Sequence, residues 1–248
     1  MRCDRLEGNV IALGFFDGVH LGHGQLLRRC RTAAGELGLP ACALTVDTHP
    51  DTLVTGKPVL LLNSPADRES LMKECYGIDR ILTLHFDAAM RDMPWQDFFT
   101  EILLKQYRAR HLVCGHDFCF GARGLGTGRG LQALGAEYGV TCDVIPEYRI
   151  GGVTVSSTYL RGLIQAGEVE KAAEFYGHPH ILTGQLLENE ELLPPEGVLL
   201  PGAGTYCCRG IQEGRSQPVE AVLGPGIRVR GTDLTPGQPL RLEFLKKE

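Results

Sequence analysis

Asn9-Val10-Ile11-Ala12-Leu13-Gly14-Phe15-Phe16-Asp17-Gly18-Val19-His20-Leu21-Gly22-His23 carries the reading of the fold. Asn9 and the four apolar residues after it form a strand that ends at Gly14. Gly14 and Gly18 let the chain turn sharply, and Gly22 has no side chain to hold a ligand off the backbone. A helix follows, with Leu26, Leu27, Ala33, Ala34 and Leu37 on one stripe and Gly38 as its stop. Helix starts offer unpaired N–H groups and a positive dipole end, so the turn is a ready anion site. His20 and His23 are three apart and can face the same side of that start. A metal pair is the competing reading, but no third ligand stands at a recognisable spacing.

Working outward, short apolar runs alternate with helical patterns through about residue 150. Strands are expected at Ala41–Val46, Ile81–Leu84, His111–Cys114 and Thr141–Ile145. Helices are expected from Ser64-Pro65 to about Tyr76, over Trp95–Gln106 and over Leu131–Tyr138, with Ser64 capping and Pro65 at the first helical position. This alternation predicts an α/β fold, a parallel sheet with helices on both faces. Ligands of such sheets lie beyond the carboxyl ends of the strands.

After about His180 the composition changes. The last 68 residues hold 7 of the 14 Pro and 10 of the 32 Gly. Apolar runs at Ile181-Leu182, Val198–Leu200, Val219–Leu223, Ile227–Val229 and Leu240–Leu245 predict a small C-terminal antiparallel β unit. The expected division is residues 1–180 and 181–248. The whole chain has 248 residues, a net charge of −5 and 43% hydrophobic content, ordinary for a globular protein. A pI near 5.9 disfavours nucleic acid as a partner. No apolar run nears the ~18 residues of a membrane helix, and the first eight residues show no signal-peptide core. The nine cysteines include no C-x-x-C pair and suggest buried thiols in a reducing cytoplasm rather than a metal or disulfide framework.

Val155-Ser156-Ser157-Thr158-Tyr159-Leu160-Arg161 opens another helix, with Ser157 as the natural N-cap. Consecutive hydroxyls with an arginine one turn on also suit a polyphosphate clamp, Arg161 binding bidentately. Gly121-Ala122-Arg123-Gly124-Leu125-Gly126-Thr127-Gly128-Arg129-Gly130 lacks P-loop spacing and reads as a mobile lid with Arg123 and Arg129 as its basic residues.

These motifs resemble the nucleotidyltransferase superfamily. The pattern G-x-F-D-G-x-H-x-G-H is similar to that of bacterial FAD synthetase, the FMN adenylyltransferase module of the bifunctional riboflavin kinase/FAD synthetase. Val113-Cys114-Gly115-His116-Asp117-Phe118-Cys119-Phe120-Gly121 is similar to its V-G-x-D-F-x-F-G segment. Thr45-Val46-Asp47-Thr48-His49-Pro50 resembles its T-F-x-P-H-P loop, and Gly167–Ala172 with Gly177-His178-Pro179 resembles the end of the module. The resemblance covers about residues 9–185 and implies a Rossmann-like nucleotidyltransferase sheet. It implies transfer of AMP from ATP to FMN, giving FAD and pyrophosphate, with Mg²⁺ neutralising charge. Carried over, His20 and His23 contact the ATP phosphates at the reacting end, while Ser157, Thr158 and Arg161 hold the β- and γ-phosphates. Gly14, Phe15, Phe16, Asp17 and Gly22 form the turn against the substrates. His49, Pro50, Asp117, Phe118 and Phe120 line the flavin side, and Arg123 and Arg129 serve the lid. No protein metal ligands are implied.

Four positions depart from the family pattern: Val46 for phenylalanine, Thr48 for proline, His178 for arginine, and His180 for an aromatic. The kinase half's G-x-P-T-A-N motif is absent, although Leu193-Pro194-Pro195-Glu196-Gly197-Val198 resembles a turn of its barrel. The tail therefore reads as a remnant of that barrel without riboflavin kinase activity, which leaves FMN to a separate kinase of the pathway. Two other readings stand beside this one. One is a catalytically silent flavin- or nucleotide-binding regulatory protein. The other is an adenylyl- or cytidylyltransferase for a different phosphorylated acceptor.

Overall fold

A computed structural model of the chain describes residues 7–248; the first six residues, including Cys3 and most of the start read for a signal peptide, lie outside the described residues. The chain forms two compact units. One comprises residues up to Phe16, Gly22–Val59 and Glu69–Tyr148; the other comprises Asp17–Leu21, Leu60–Arg68 and Arg149–Glu248.

The first unit is built on β1 (Asn9–Leu13), whose last four residues are buried. Apolar side chains on both faces of a strand suit only a sheet covered on both sides. After β1 come α1 (Leu21–Leu37), β2 (Ala41–Val46), α2 (Pro50–Thr55), α3 (Pro65–Tyr76), β3 (Arg80–Leu84) and α4 (Ala88–Asp92). The strand order is β3-β2-β1-β4-β7, all parallel, with β4 at Ala109–Gly115 and β7 at Thr141–Ile145. The chain winds outward from β1 to β3, then crosses back to β4. The switch point thus lies beside the carboxyl end of β1, where an open α/β sheet leaves a crevice. Below it Ile11, Leu13, Leu44, Phe99, Leu103 and Leu112 form the core.

Local corrections have local causes. The helix expected over Trp95–Gln106 begins as one α-turn, α5 (Trp95–Asp97), and continues as a π-helix over Phe98–Gln106, with Tyr107 N–H donating to the Ile102 carbonyl. The segment read as a lid is a built structure: β5 (Cys119–Phe120) pairs with β6 (Gly126–Thr127) around a 3-10 turn. Its last residues already belong to α6 (Gly128–Glu137), capped by Thr127, whose hydroxyl accepts from Gly130 N–H. That helix starts three residues earlier than the leucine stripe suggests, because Thr127 and the glycines supply the start.

In the second unit a hairpin, β8 (Arg149–Ile150) and β9 (Val153–Thr154), leads into α7 (Ser157–Ala166) and α8 (Val169–Tyr176). The tail is a closed antiparallel barrel. Its strands are β10 (His180–Leu186), β11 (Glu191–Leu193), β12 (Gly204–Gln212), β13 (Arg215–Leu223), β14 (Ile227–Arg230) and β15 (Pro239–Lys247), in the order β10-β11-β14-β13-β12-β15. Closure removes the free sheet edges that would invite aggregation. Inside sit Leu182, Leu192, Tyr206, Ala221, Val229, Leu242 and Phe244, all nearly inaccessible. Val198–Leu200, expected as a strand, makes only one isolated bridge, Leu61 to Val198. No helix among the described residues is long and apolar enough to cross a membrane.

Candidate active site

The turn after β1 is strained in the manner of a functional loop. Phe16 and Val19 take φ of 60° and 42°, and both are fully buried. A β-branched residue at positive φ is costly, about 1–3 kcal/mol, and persists only where its surroundings enforce it. Gly18, at φ 81°, sits where a Cβ would fall 2.9 Å from Tyr176 Cε1 and 2.8 Å from Leu62 Cδ1, so any side chain there would be strained and would press on both.

Asp17, 2% exposed, is the hub of this turn. Its Oδ1 accepts from Leu62 N–H at 2.9 Å and its Oδ2 from Arg161 Nη2 at 2.6 Å; its backbone carbonyl accepts from Ser157 Oγ at 2.9 Å. One carboxylate therefore ties the turn to both the 60–68 segment and the start of α7. Ser157 is not the cap of α7: Ser156 is, its hydroxyl accepting from Tyr159 N–H. That shift frees Ser157 to bond the turn. Thr158 is exposed at the same helix start. Arg68, 3% exposed, faces the Asp17 charge, while burial pushes its own pKa down.

His20 is 5% exposed, and burial holds its pKa down to about 3, with His178 adding a smaller push in the same direction. It is a neutral imidazole at physiological pH. Gly22 and His23 lie in the first turn of α1, and the His23 ring meets Phe16 edge-on, centroids 5.4 Å apart.

At the carboxyl ends of the sheet strands lies a cavity of about 700 Å³. Gly14, Phe15, Pro50, Phe118, Phe120 and Arg123 from the sequence reading line it. Phe118 and Phe120 are stacked, 5.4 Å apart at 21°, and Phe98 and Trp95 brace Phe120. His49 does not line the cavity; it caps α2 by accepting Asp51 N–H at Nδ1 and holds Phe15 edge-on at 4.6 Å. Asp117 and Arg129 are exposed and stand outside the lining. The reading from sequence missed Thr45, Leu84, Phe86, Met90 and Phe98, which complete the walls. Thr45 also fixes the turn, its hydroxyl donating to the Phe15 carbonyl at 3.0 Å. An apolar, aromatic slot with a few charged rim groups, here Asp51, Arg91, Asp92 and Arg123, suits a planar heteroaromatic ligand.

The rim is held by an ion pair as well. Asp47, just past β2, accepts from Phe86 N–H and lies 2.6 Å from His85 Nδ1, just past β3. The hydrogen bond to Asp47 raises the His85 pKa. No group of three or more His, Cys, Asp or Glu that could hold a metal occurs among the described residues.

Comparison with known proteins places these features in a family. The FAD synthetase family model matches residues 3–159, from before β1 into the first turn of α7. The bifunctional riboflavin kinase/FMN adenylyltransferase of Pseudomonas fluorescens is 31% identical over 235 residues, covering 91% of this chain and 75% of its own length. The protein of the same name from Escherichia coli strain K12 is 32% identical over 233 residues, covering 90% and 74%. A crystal structure described as a macrolide-efflux protein from Streptococcus pneumoniae aligns over 98% of this chain and 86% of that one. Its TM-score is 0.85 at 22% identity, a likeness of fold. With the glycine turn, the two histidines and the S-S-T-x-x-R helix start all within or beside the matched span, the chain belongs to the FAD synthetase family.

Proposed function

We propose that the protein is an FMN adenylyltransferase, joining AMP from ATP to FMN to give FAD and pyrophosphate. The observation that carries this reading is the aromatic cavity that reaches Gly14 and Phe15, residues that lead directly into the Asp17–His23 turn. A flavin ring fits the slot between Phe118, Phe120 and the apolar walls. Family membership supports the same substrates, since the relatives carry FMN adenylyltransferase in their names.

The FMN phosphate oxygen attacks the α-phosphorus of ATP in line, the bond to the β-phosphate bridging oxygen breaks, and pyrophosphate leaves with that electron pair. No covalent intermediate on the protein is needed; positioning and charge stabilisation suffice. His20, neutral, and His23 donate N–H groups to phosphate oxygens at the reacting end, together with the N–H groups opening α1. Ser157, Thr158 and Arg161 hold the β- and γ-phosphates, and Asp17 sets the turn. Magnesium bound to the nucleotide as MgATP would offset phosphate charge.

The barrel carries no G-x-P-T-A-N motif, so the proposed activity is FAD formation without riboflavin phosphorylation. The test is incubation of purified protein with FMN, ATP and Mg²⁺, with FAD followed by chromatography. FAD is expected from FMN, and no adenylylated product from other phosphorylated acceptors; binding of ATP without FAD would leave a silent binding protein instead.

Two substitutions separate the parts. His23→Ala is expected to lower kcat at least about a hundredfold while thermal stability changes little, the scale of losing a transition-state donor. Phe118→Ala is expected to raise KM for FMN about tenfold, leaving KM for ATP unchanged, because a stacked aromatic contributes about 1 kcal/mol beyond its buried area. Steady-state kinetics on both variants read these effects.

A further inference from the structure

The proposed chemistry leaves one motif of the second unit without a role, the turn Leu193-Pro194-Pro195-Glu196-Gly197-Val198 and the apolar residues that follow it. Past Leu193, which ends β11, this stretch joins no strand. Even so, Val198 and Leu199 are buried and Gly197 holds φ at 75°. The backbone of the turn is committed to one residue. Leu61 N–H donates to the Gly197 carbonyl and Leu199 N–H donates to the Leu61 carbonyl, both at 2.8 Å, which makes a single parallel bridge.

In an extended chain the N–H and C=O of one residue point to one side and those of its neighbours to the other. The neighbours of Leu61 follow this pattern. Leu62 N–H donates to Asp17 Oδ1 at 2.9 Å, and the Leu60 carbonyl accepts from Arg161 Nε at 3.1 Å. Arg161 Nη2 donates to Asp17 Oδ2 at 2.6 Å and closes the ring of contacts. Residues 60–62 therefore carry the barrel turn on one edge and both members of the Asp17–Arg161 pair on the other. All of these residues belong to the second unit. A guanidinium fixed through Nε and Nη2 keeps the N–H groups of Nη1 for phosphate oxygens. We propose that the 197–199 turn is a positioning element for the nucleotide: through the backbone of residues 60–62 it sets the Asp17–Arg161 pair to meet the β- and γ-phosphates. The barrel, which lacks the kinase motif, thereby serves the adenylyl transfer. The inference rests on the assignment of Arg161 to the triphosphate.

Gly197 offers the test, because a Cβ there would meet nothing within 4 Å and acts only through the backbone. Gly197→Val, a β-branched residue at positive φ, is expected to displace the carbonyl that Leu61 N–H uses. MgATP, titrated calorimetrically, is expected to bind about tenfold more weakly, the scale of one misplaced charge-assisted hydrogen bond. FMN affinity, read by flavin fluorescence, is expected to stay within about twofold. Gly197→Asn accepts the left-handed conformation and is expected to restore MgATP affinity to within about twofold of wild type. Gly214 is the matched control: it holds φ at 77°, a Cβ there would also meet nothing within 4 Å, and it lies in the β12–β13 turn of the same barrel. Gly214→Val is expected to lower the thermal midpoint and to leave MgATP affinity unchanged. Wild-type MgATP affinity in Gly197→Val overturns the proposal. So do equal losses for MgATP and FMN, or an equal loss of MgATP affinity in Gly214→Val, either of which would mark a general loosening. Should Gly197→Val not fold, Gly197→Ala makes the same comparison, with about a threefold loss expected. Wild-type protein that binds MgATP and makes no FAD would refute adenylyl transfer while the titrations still decide the role of the turn.

Discussion

Replacing Asp17 with alanine is expected to destabilise the protein by about 3–5 kcal/mol and to remove FAD formation, since breaking one side of a buried pair strands the other. Leu62, Arg161 and Ser157 all bond this residue, and Arg68 faces its charge. The side chain takes Leu62 N–H and the Arg161 guanidinium, and only the carbonyl bond to Ser157 survives truncation. Against a typical total of about 5–15 kcal/mol the loss is large. Asp17→Asn retains an acceptor for Leu62 N–H but loses the charge opposite Arg161, so it is expected to lie between wild type and alanine in urea unfolding. Equal midpoints for Asp17→Ala and wild type would mean that the turn is held by something other than this carboxylate.

Acidification is expected to destabilise the protein well above the range where carboxylates titrate. His20 and His180 are both held down to about 3 by burial, from an ordinary 6.5. The unfolded chain therefore binds more protons than the folded one between about pH 3 and 6.5, and stability falls as pH drops through that window. Each histidine contributes at most about 1.4 kcal/mol per pH unit there, so the pair weakens the fold by several kcal/mol near pH 4.5. His180 is fully buried beside Tyr176 and Phe244, and both its ring nitrogens lack hydrogen-bond partners among the described residues. His180→Phe should thus keep the packing and flatten the pH slope, with His20, His178 and His111, also held down by burial, keeping the rest of it. Urea midpoints at pH 7, 6 and 5 measure this. The Asp47–His85 pair runs the other way: His85 has a raised pKa, so its contribution is present at acid pH and fades as pH rises through that value.

The first unit was legible because its information is local. Doubly apolar strands such as Asn9–Leu13 and Ala41–Val46 announce a covered parallel sheet, and the helix starts carry their own signals at Ser64-Pro65 and Gly22. The cap of α7 shows where that stops. Ser156 and Ser157 are equivalent in a sequence; only the extended backbone at Ser156 (φ −145°, ψ 154°) decides which one caps and which reaches Asp17. The barrel was half visible. β12 alternates buried and exposed residues, but its inward positions are Tyr206, Cys208, Gly210 and Gln212, which form no apolar run. Val198 and Leu199 are apolar yet buried outside any strand.

The site divides in the same way. Phe118 and Phe120 were found through their motif, whereas Met90, Phe98 and Leu84 reach the cavity from three separate elements and carry no signal along the chain.

Adenylyl transfer is tested most directly with ATP labelled at the α-phosphorus, incubated with FMN, Mg²⁺ and the purified protein. The account predicts that the label passes into FAD, one for each unlabelled pyrophosphate released, and that His23→Ala abolishes the transfer. Label that stays in ATP, or that leaves as free AMP with FMN unchanged, would contradict it.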